Sequence, residues 1–598
     1  MCGIIGYVGE RESLPIVAEG LKNLEYRGYD SAGVALTDED LRVFKSEGEI
    51  DDLELPESDP ATLGIGHTRW STHGEPTDAN AHPHTDCSGE IAVVHNGIID
   101  NYDDLKAELA EHEFTSETDT EVVAHLLEET YDGEDLPEAV RTVVDRLAGS
   151  FALAVTATGF DGIVAVRQDS PLVIGYGDDG QFLASDVPAF VEHTQDVCYL
   201  ENGDVAVLTE DDVTVTRDGE VVDRERQTVD WEPEQAGKAG YEHYMLKEIN
   251  EQPTALRQTI SGRVDAANGR ADLDVDLPEE YLQSIEEIQI VAAGTSYHAG
   301  LYARQLLEEY ADVRVTVETA SEYAFRGGRD PWRTLVVAVT QSGETADTLA
   351  AMRTAASAGA RTLAVTNTVG STAAREADDV VYIRAGPEIG VAATKTFAAQ
   401  VTTLALLTVY LGRARKTLSG EVASDLLESV RAVPGAIQRV LDEADRVADV
   451  AEEYVDGDAF FFVGRALGAP VSLEGALKLK EISYRHAEGF AAGELKHGTL
   501  ALVTEATPVV AILTEGANPS ETLHNVKEVQ SRGAPVIGIS SVDHAEKYLD
   551  EAFGVPEAGV LEPLVANVYL QLLAYHVARL DGRAIDKPRN LAKSVTVK

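Results

Sequence analysis

The second residue of the chain is a cysteine, opening the run Cys2-Gly3-Ile4-Ile5-Gly6-Tyr7-Val8-Gly9. Trimming of Met1 would leave Cys2 with both a thiol and a free α-amine. Unperturbed, these groups titrate near about 8.5 and about 8, so the amine is a base for the thiol of its own residue. Taken alone, Cys2 is an ordinary small residue. Four downstream stretches of the same half change that reading. Gly66-His67-Thr68-Arg69-Trp70-Ser71-Thr72-His73-Gly74 ends a strand in a polar cluster. Arg69 there could hold a carboxylate bidentately or make a surface salt bridge, and Trp70 could be core or gate. Asn96-Gly97 places a side-chain amide beside an unencumbered N–H, which reads as an oxyanion hole or as a hairpin turn. Asp119 precedes a helix and could cap it or bind an ammonium group. His82-Pro83-His84 followed by Cys87 mimics a metal site. Zinc would want four ligands and a second shell, so these histidines read as bracing a pocket and no metal is expected.

The second half offers different chemistry. Gly294-Thr295-Ser296 and Thr340-Gln341-Ser342-Gly343-Glu344-Thr345 each follow a strand and precede a helix. Such loops suit a phosphate, because backbone N–H groups, hydroxyls and the helix dipole all face the anion. N-capping is the plainer reading of either loop alone. No G-x-x-x-x-G-K-[ST] run occurs, so ATP is not implied. Further on, Glu474, Lys478 and Glu481 fall on one helical face. They are either a salt-bridge ladder or a carboxylate base beside a charge-stabilising lysine. His497 lies in a glycine-flanked loop.

The elements that must carry these groups differ between the two halves. Residues 1–225 alternate strand-like runs with short helices. Beyond a polar connector, Glu287–Ala293, Thr334–Val339 and Arg361–Val365 are strands in strand–turn–helix units, which imply a parallel sheet covered on both faces. The unit then repeats: Ala459–Val463 with Gly464-Arg465-Ala466 echoes Glu287–Ala293 with Gly294-Thr295-Ser296. The second copy lacks most of the hydroxyls and carries Glu515, so the phosphate belongs to the first copy. The apolar stretch Ala398–Leu411 is broken by Gln400, Thr402, Thr403 and Thr408 and reads as a buried helix. The start has no basic signal region and the three cysteines suit a reducing compartment, so a cytoplasmic location is expected. The 598 residues carry a net charge of −56, spread along the chain. That disfavours nucleic acid and points to a salt-loaded cytoplasm, where screening lengths fall to about 3 Å at 1 M.

Motif by motif the chain resembles known families. CGIIGYVG, LEYRGYDSAG, GHTRWSTHG, HNGIIDN and SETDTE occur in this order in the glutaminase domain of class II (N-terminal nucleophile) glutamine amidotransferases. The loops at 294–296 and 340–345 resemble those of sugar isomerase (SIS) domains. EGALKLKEISY, GELKHG and RNLAKSVTV resemble the glucosamine-6-phosphate synthase family. The resemblance implies a multidomain α/β and α+β chain. Residues 1–225 would form a four-layer αββα sandwich and 226–244 a linker. Two doubly wound parallel-sheet SIS domains would come next, at 245–435 and 436–585, with a catalytic tail at 586–598.

Roles carried over with that resemblance make Cys2 the nucleophile, with Asn96 and the Gly97 N–H as oxyanion hole. Arg69 and Asp119 would hold the α-carboxylate and α-ammonium of L-glutamine, with Thr72 and His73 in the same pocket and Trp70 gating ammonia. Thr295, Ser296, Thr340, Gln341, Ser342 and Thr345 would hold the phosphate of fructose 6-phosphate, and Val391 and Ala592 would line the sugar pocket. Lys593 would form a Schiff base, Glu481 would move the proton between C1 and C2 with Lys478 assisting, and His497 would help open the ring from the partner of a homodimer. Thr340 stands where the family often has Ser, and Gly464-Arg465-Ala466 departs from Gly-Arg-Gly. The implied reaction is transfer of the glutamine amide nitrogen to the ketose with isomerisation, using no metal or redox cofactor. Another glutamine-dependent amidotransferase would lack the SIS repeat. A sugar-phosphate-sensing regulator would need a DNA-binding module and no Cys2.

Overall fold

The computed structural model describes residues 2–70, 74–229, 238, 240–275, 277–326 and 330–596. Two compact units result, Met1–Ala236 with Ala592–Lys598, and Gly237–Leu591.

In the first unit an eight-stranded and a seven-stranded sheet are each antiparallel throughout. Period-two alternation sorts the residues of strand Ile91–Ile99. Ala92 and Val94 pack with Ile4, Ile65 and Leu183 of the other sheet, so the sheets lie face to face. Ile91 and Val93 point outward onto Val122, Val123, Leu126 and Leu127 of helix Glu121–Thr130. Helix Ser13–Leu24 covers strands Gly3–Gly9 and Leu63–Arg69 on the opposite side. The result is four layers, αββα. Two short strands, Glu220–Val221 and Gln227–Thr228, complete these sheets, the second of them inside the stretch expected as a linker.

The second unit holds two five-stranded parallel sheets. One runs Arg314–Thr319, Glu287–Ala292, Thr334–Val339, Arg361–Thr366, Asp379–Tyr382 across its width. The other runs Ala487–Ala491, Phe460–Gly464, Val509–Leu513, Val536–Ser540, Glu551–Gly554. Both therefore have the order second, first, third, fourth, fifth, and the repeat is one fold used twice. Helices cover both faces of each sheet, with separate clusters under Ala346–Ser357 and Pro519–Gln530 and one large core elsewhere. Lys395–Ala414 is long and apolar enough to cross a membrane, but 83% of its apolar window is buried. It packs on Gly294–Tyr310 and Tyr244–Ile260 as a core helix.

Candidate functional site

The first cluster forms where strands of both sheets of the first unit end together. Gly3 pairs with Thr68, which brings Cys2 to the end of the strand carrying Arg69. The Cys2 thiol accepts the Trp70 N–H at 3.3 Å, and the Cys2 carbonyl accepts from Arg27 Nε at 3.1 Å and from Asn96 Nδ2 at 3.0 Å. Burial pushes the thiol up, against the pull of the Trp70 N–H and the Arg69 and Arg27 charges.

Asn96 and Gly97 are not a hairpin turn but lie within strand Ile91–Ile99, paired with Ala152 and Phe151. Gly97 sits at φ +134°, and a Cβ there would overlap the Ser150 carbonyl oxygen. Only glycine keeps the ladder closed at that point. Arg69 is 3% exposed and donates to the Gly74 carbonyl at 3.1 Å. Asp119 does not cap the helix. Its carboxylate accepts the Ile99 N–H at 2.8 Å, and Thr120 holds the cap position. Trp70 meets Tyr29 edge-on at 5.8 Å. Thr72 and His73 lie outside the described residues.

The histidines read as braces form a buried chain. His67 Nε2 is 3.1 Å from Asn96 Oδ1, His67 Nδ1 is 3.1 Å from His82 Nδ1, and His82 Nε2 and His95 Nδ1 each lie 2.8 Å from Thr120 Oγ1. His84 Nε2 is 2.9 Å from Thr118 Oγ1. Burial pushes His67 down to about 3, and His82 and His84 well below their ordinary value, so these three are neutral. The chain orients Asn96 from behind.

The second cluster lies in the second unit, where the first helices of the two copies, Gly294–Tyr310 and Gly468–Ser483, pack together. Gly294-Thr295-Ser296 is not a loop ahead of the first of these, as expected from sequence: the helix begins at Gly294, so Thr295 and Ser296 occupy its first turn. Thr295 Oγ1 donates to Glu474 at 3.0 Å and accepts from Lys478 Nζ at 3.0 Å, while Ser296 Oγ accepts from Gln400 at 2.9 Å. His298 Nδ1 is 2.7 Å from Glu474. Lys478 Nζ lies 2.7 Å from Glu481 and 3.4 Å from Glu474. Glu474 is fully buried; burial would raise it, but the Lys478 charge and the His298 hydrogen bond hold it below the usual carboxylate range. Burial would lower Lys478, but Glu474 and Glu481 hold its ammonium well above the ordinary lysine value. The face expected from spacing is thus a charged ladder sealed at one end and partly open at Glu481. Spacing did not reveal Thr295 and His298 as its partners.

In the other loop Thr340 Oγ1 accepts the Gly343 N–H at 3.2 Å and lies 3.3 Å from Thr345 Oγ1, and Ser342 Oγ accepts the Glu344 N–H at 3.2 Å. The Gln341 carbonyl accepts the Asn367 N–H at 3.1 Å. Gly343 takes φ +71° against Ser371. The equivalent loop of the second copy differs: the Glu515 N–H and the Ser541 hydroxyl donate to the Glu562 carboxylate at 2.9 and 2.6 Å. A carboxylate of the protein itself accepts both of these donors. Val391 is buried, its N–H donating to the Asp586 carbonyl at 3.2 Å. His497 lines a cavity of about 550 Å³ with His298, Lys480, Glu488, Glu494 and Thr499. Ala592 and Lys593 group with the first unit.

Residues 67–192 match the glutamine amidotransferase domain family, and residues 281–410 and 454–579 match the SIS domain family. The class is therefore a glutamine amidotransferase joined to a pair of SIS domains. Among curated relatives, a glutamine–fructose-6-phosphate aminotransferase (isomerizing) from Halobacterium salinarum is 62% identical over 600 residues, covering 100% of both chains. The protein of the same name from Symbiobacterium thermophilum is 50% identical, again over the full length of both. The C-terminal domain of glucosamine-fructose-6-phosphate aminotransferase from Francisella tularensis superimposes with a TM-score of 0.55 at 36% identity, covering 59% of this chain and 99% of that one. The chain belongs to the glutamine–fructose-6-phosphate aminotransferase (isomerizing) family.

Proposed function

We propose that this enzyme transfers the amide nitrogen of L-glutamine to D-fructose 6-phosphate, giving D-glucosamine 6-phosphate and L-glutamate. The observation that supports the first half best is Asn96, held by His67 at its carbonyl and already donating beside Cys2. After Met1 is trimmed, the Cys2 thiol attacks the side-chain amide and the α-amine takes its proton. Asn96 Nδ2 and the Gly97 N–H bear the oxyanion. Arg69 and Asp119 hold the ends of glutamine, with Thr72 and His73 beside them. Ammonia leaves with the relayed proton, and water releases glutamate from the thioester.

In the second half the hydroxyls and N–H groups of Thr340–Thr345, with Ser296, hold the phosphate. Lys593 forms a Schiff base at the ketone with loss of water, and ammonia displaces it to leave an imine at C2. Glu481 then takes a proton from C1 and returns it to C2 while the O1 hydroxyl proton passes to the nitrogen, giving the aldehyde and the amine, with the Lys478 ammonium 2.7 Å from the Glu481 carboxylate. Val391 and Ala592 line the sugar. The geometry of Thr295, turned into the Glu474–Lys478 ladder, favours a positioning role for it over phosphate contact. A homodimer completes the site through His497. The reaction runs in the cytoplasm without a membrane or nucleic-acid partner, which the charge of −56 would repel.

Cys2→Ala should abolish glutamate release while fructose 6-phosphate is still converted to glucose 6-phosphate. Loss of both would contradict separate sites. Incubation of the unaltered enzyme with both substrates in high salt should yield an amino sugar, and its absence would end the reading.

A further inference from the structure

Cys87 completes a cluster that its neighbours in sequence do not share. His84 is turned into the buried chain. Cys87 instead faces His112, His125 and Glu128, which lie 25, 38 and 41 residues further on. His125 and Glu128 stand one turn apart on helix Glu121–Thr130, and His112 comes after helix Tyr102–Glu108. The four donor atoms all lie within 4.8 Å of one another. Cys87 Sγ is 3.6 Å from each histidine Nδ1, and Glu128 Oε2 is 3.0 Å from His112 Nδ1 and 3.3 Å from His125 Nδ1.

Those spacings have a chemical meaning. Tetrahedral zinc with bonds of about 2.0–2.3 Å has donor–donor edges of about 3.3–3.8 Å. The separations found bracket that range, so an ion fits with small side-chain adjustments. One thiolate, two imidazoles and one carboxylate are a zinc set, whereas magnesium and calcium want oxygen alone. The outward nitrogens matter equally. His112 Nε2 lies 3.3 Å from Glu129 and His125 Nε2 lies 3.7 Å from Glu121. His112 can thus present Nδ1 inward while Glu129 accepts its Nε2–H, the second shell that fixes a ligand's tautomer; His125 Nε2 makes no hydrogen bond, with the Glu121 carboxylate close by. Phe114 packs edge-on at 4.6 Å against His125.

We propose that Cys87, His112, His125 and Glu128 bind one zinc ion in a four-coordinate structural site. On binding, the Cys87 thiol releases its proton to solvent and both imidazoles bind neutral. The site also reaches the glutamine pocket. Glu121, behind His125, accepts the N–H and hydroxyl of both Thr115 and Ser116 at 2.7–2.9 Å. That loop leads directly to Asp119 and Thr120. Zinc therefore stiffens the segment carrying Asp119, a consequence that rests on the glutamine-binding role proposed above.

The test uses full-length protein stripped with a chelator, dialysed, reloaded with zinc and gel-filtered. One zinc per chain should survive by elemental analysis. Cobalt in its place should give intense tetrahedral visible bands and a thiolate-to-cobalt charge-transfer band. Cys87→Ser, at an exposed position, should lose that charge-transfer band. Glu129→Gln should keep the band and weaken zinc binding on the order of 10–100-fold. Zinc lost on gel filtration, or equal retention by the Cys87→Ser and His112→Gln variants, would overturn the site. Metal counts do not depend on turnover, so they separate this proposal from the functional one. If the coupling holds, zinc removal raises KM for glutamine and leaves sugar isomerisation unchanged. An unchanged KM would overturn the coupling.

Discussion

Asn96 is fixed at both ends before any substrate arrives. Its carbonyl meets His67 and its amide donates to the Cys2 carbonyl. A donor oriented in advance lowers the barrier without reorganising. Asn96→Ala should therefore reduce kcat for glutamine hydrolysis about 10²–10³-fold with little change in KM. Steady-state glutamate release checks this, and a rise in KM alone would make Asn96 a ground-state contact. The histidines behind it set an acid limit. His67 is held down to about 3 by burial, whereas unfolded histidine titrates near its ordinary 6.5. Between those values the unfolded chain binds protons that the folded chain does not, so stability falls as pH drops through that window. Urea midpoints should decline from pH 7 to pH 5, and His67→Asn should decline less steeply. Equal slopes would remove the burial argument.

At the scale of elements, the pair Gly294–Tyr310 and Gly468–Ser483 makes the second cluster. Glu474 and Lys478 are both shut from water, and their charges are set against each other, with Glu481 and Glu388 also facing Lys478 and hydrogen bonds to Glu474 from Thr295 and His298. Removing one partner of a buried pair costs about 3–5 kcal/mol, because the other charge stays behind. Lys478→Met should lower stability by that order and stop sugar isomerisation, with glutaminase activity retained. Denaturation together with both assays tests it; wild-type stability would show that the ladder contributes nothing net.

These elements also show what sequence alone conveys. Alternating and β-branched runs mark most strands, and the repeat marks the twin sheets, because such patterns are local. The face Glu474–Lys478–Glu481 is legible for the same reason. Thr295 and His298 as its partners are not, since that contact needs helices from both copies to pack. Asn96-Gly97 looks like a turn because the pair is common there; its place inside a strand depends on Ser150 crossing behind Gly97. The helix start at Gly294 is hidden because a glycine, here at φ +54°, looks like loop in sequence.

The whole molecule carries 104 acidic residues against 48 basic ones. Self-repulsion on that scale weakens as the screening length shrinks to about 3 Å at 1 M salt. The melting temperature should climb with KCl, and a flat curve would remove the reading of a salt-adapted protein. Duplication leaves a further mark at Glu562, which sits against the Glu515 N–H and the Ser541 hydroxyl. A protein that supplies its own counter-ion to one of two sister clefts has made their saturation unequal. On the phosphate role proposed for the first copy, phosphorylated metabolites would then compete for a single berth per polypeptide, with the twin as a wall.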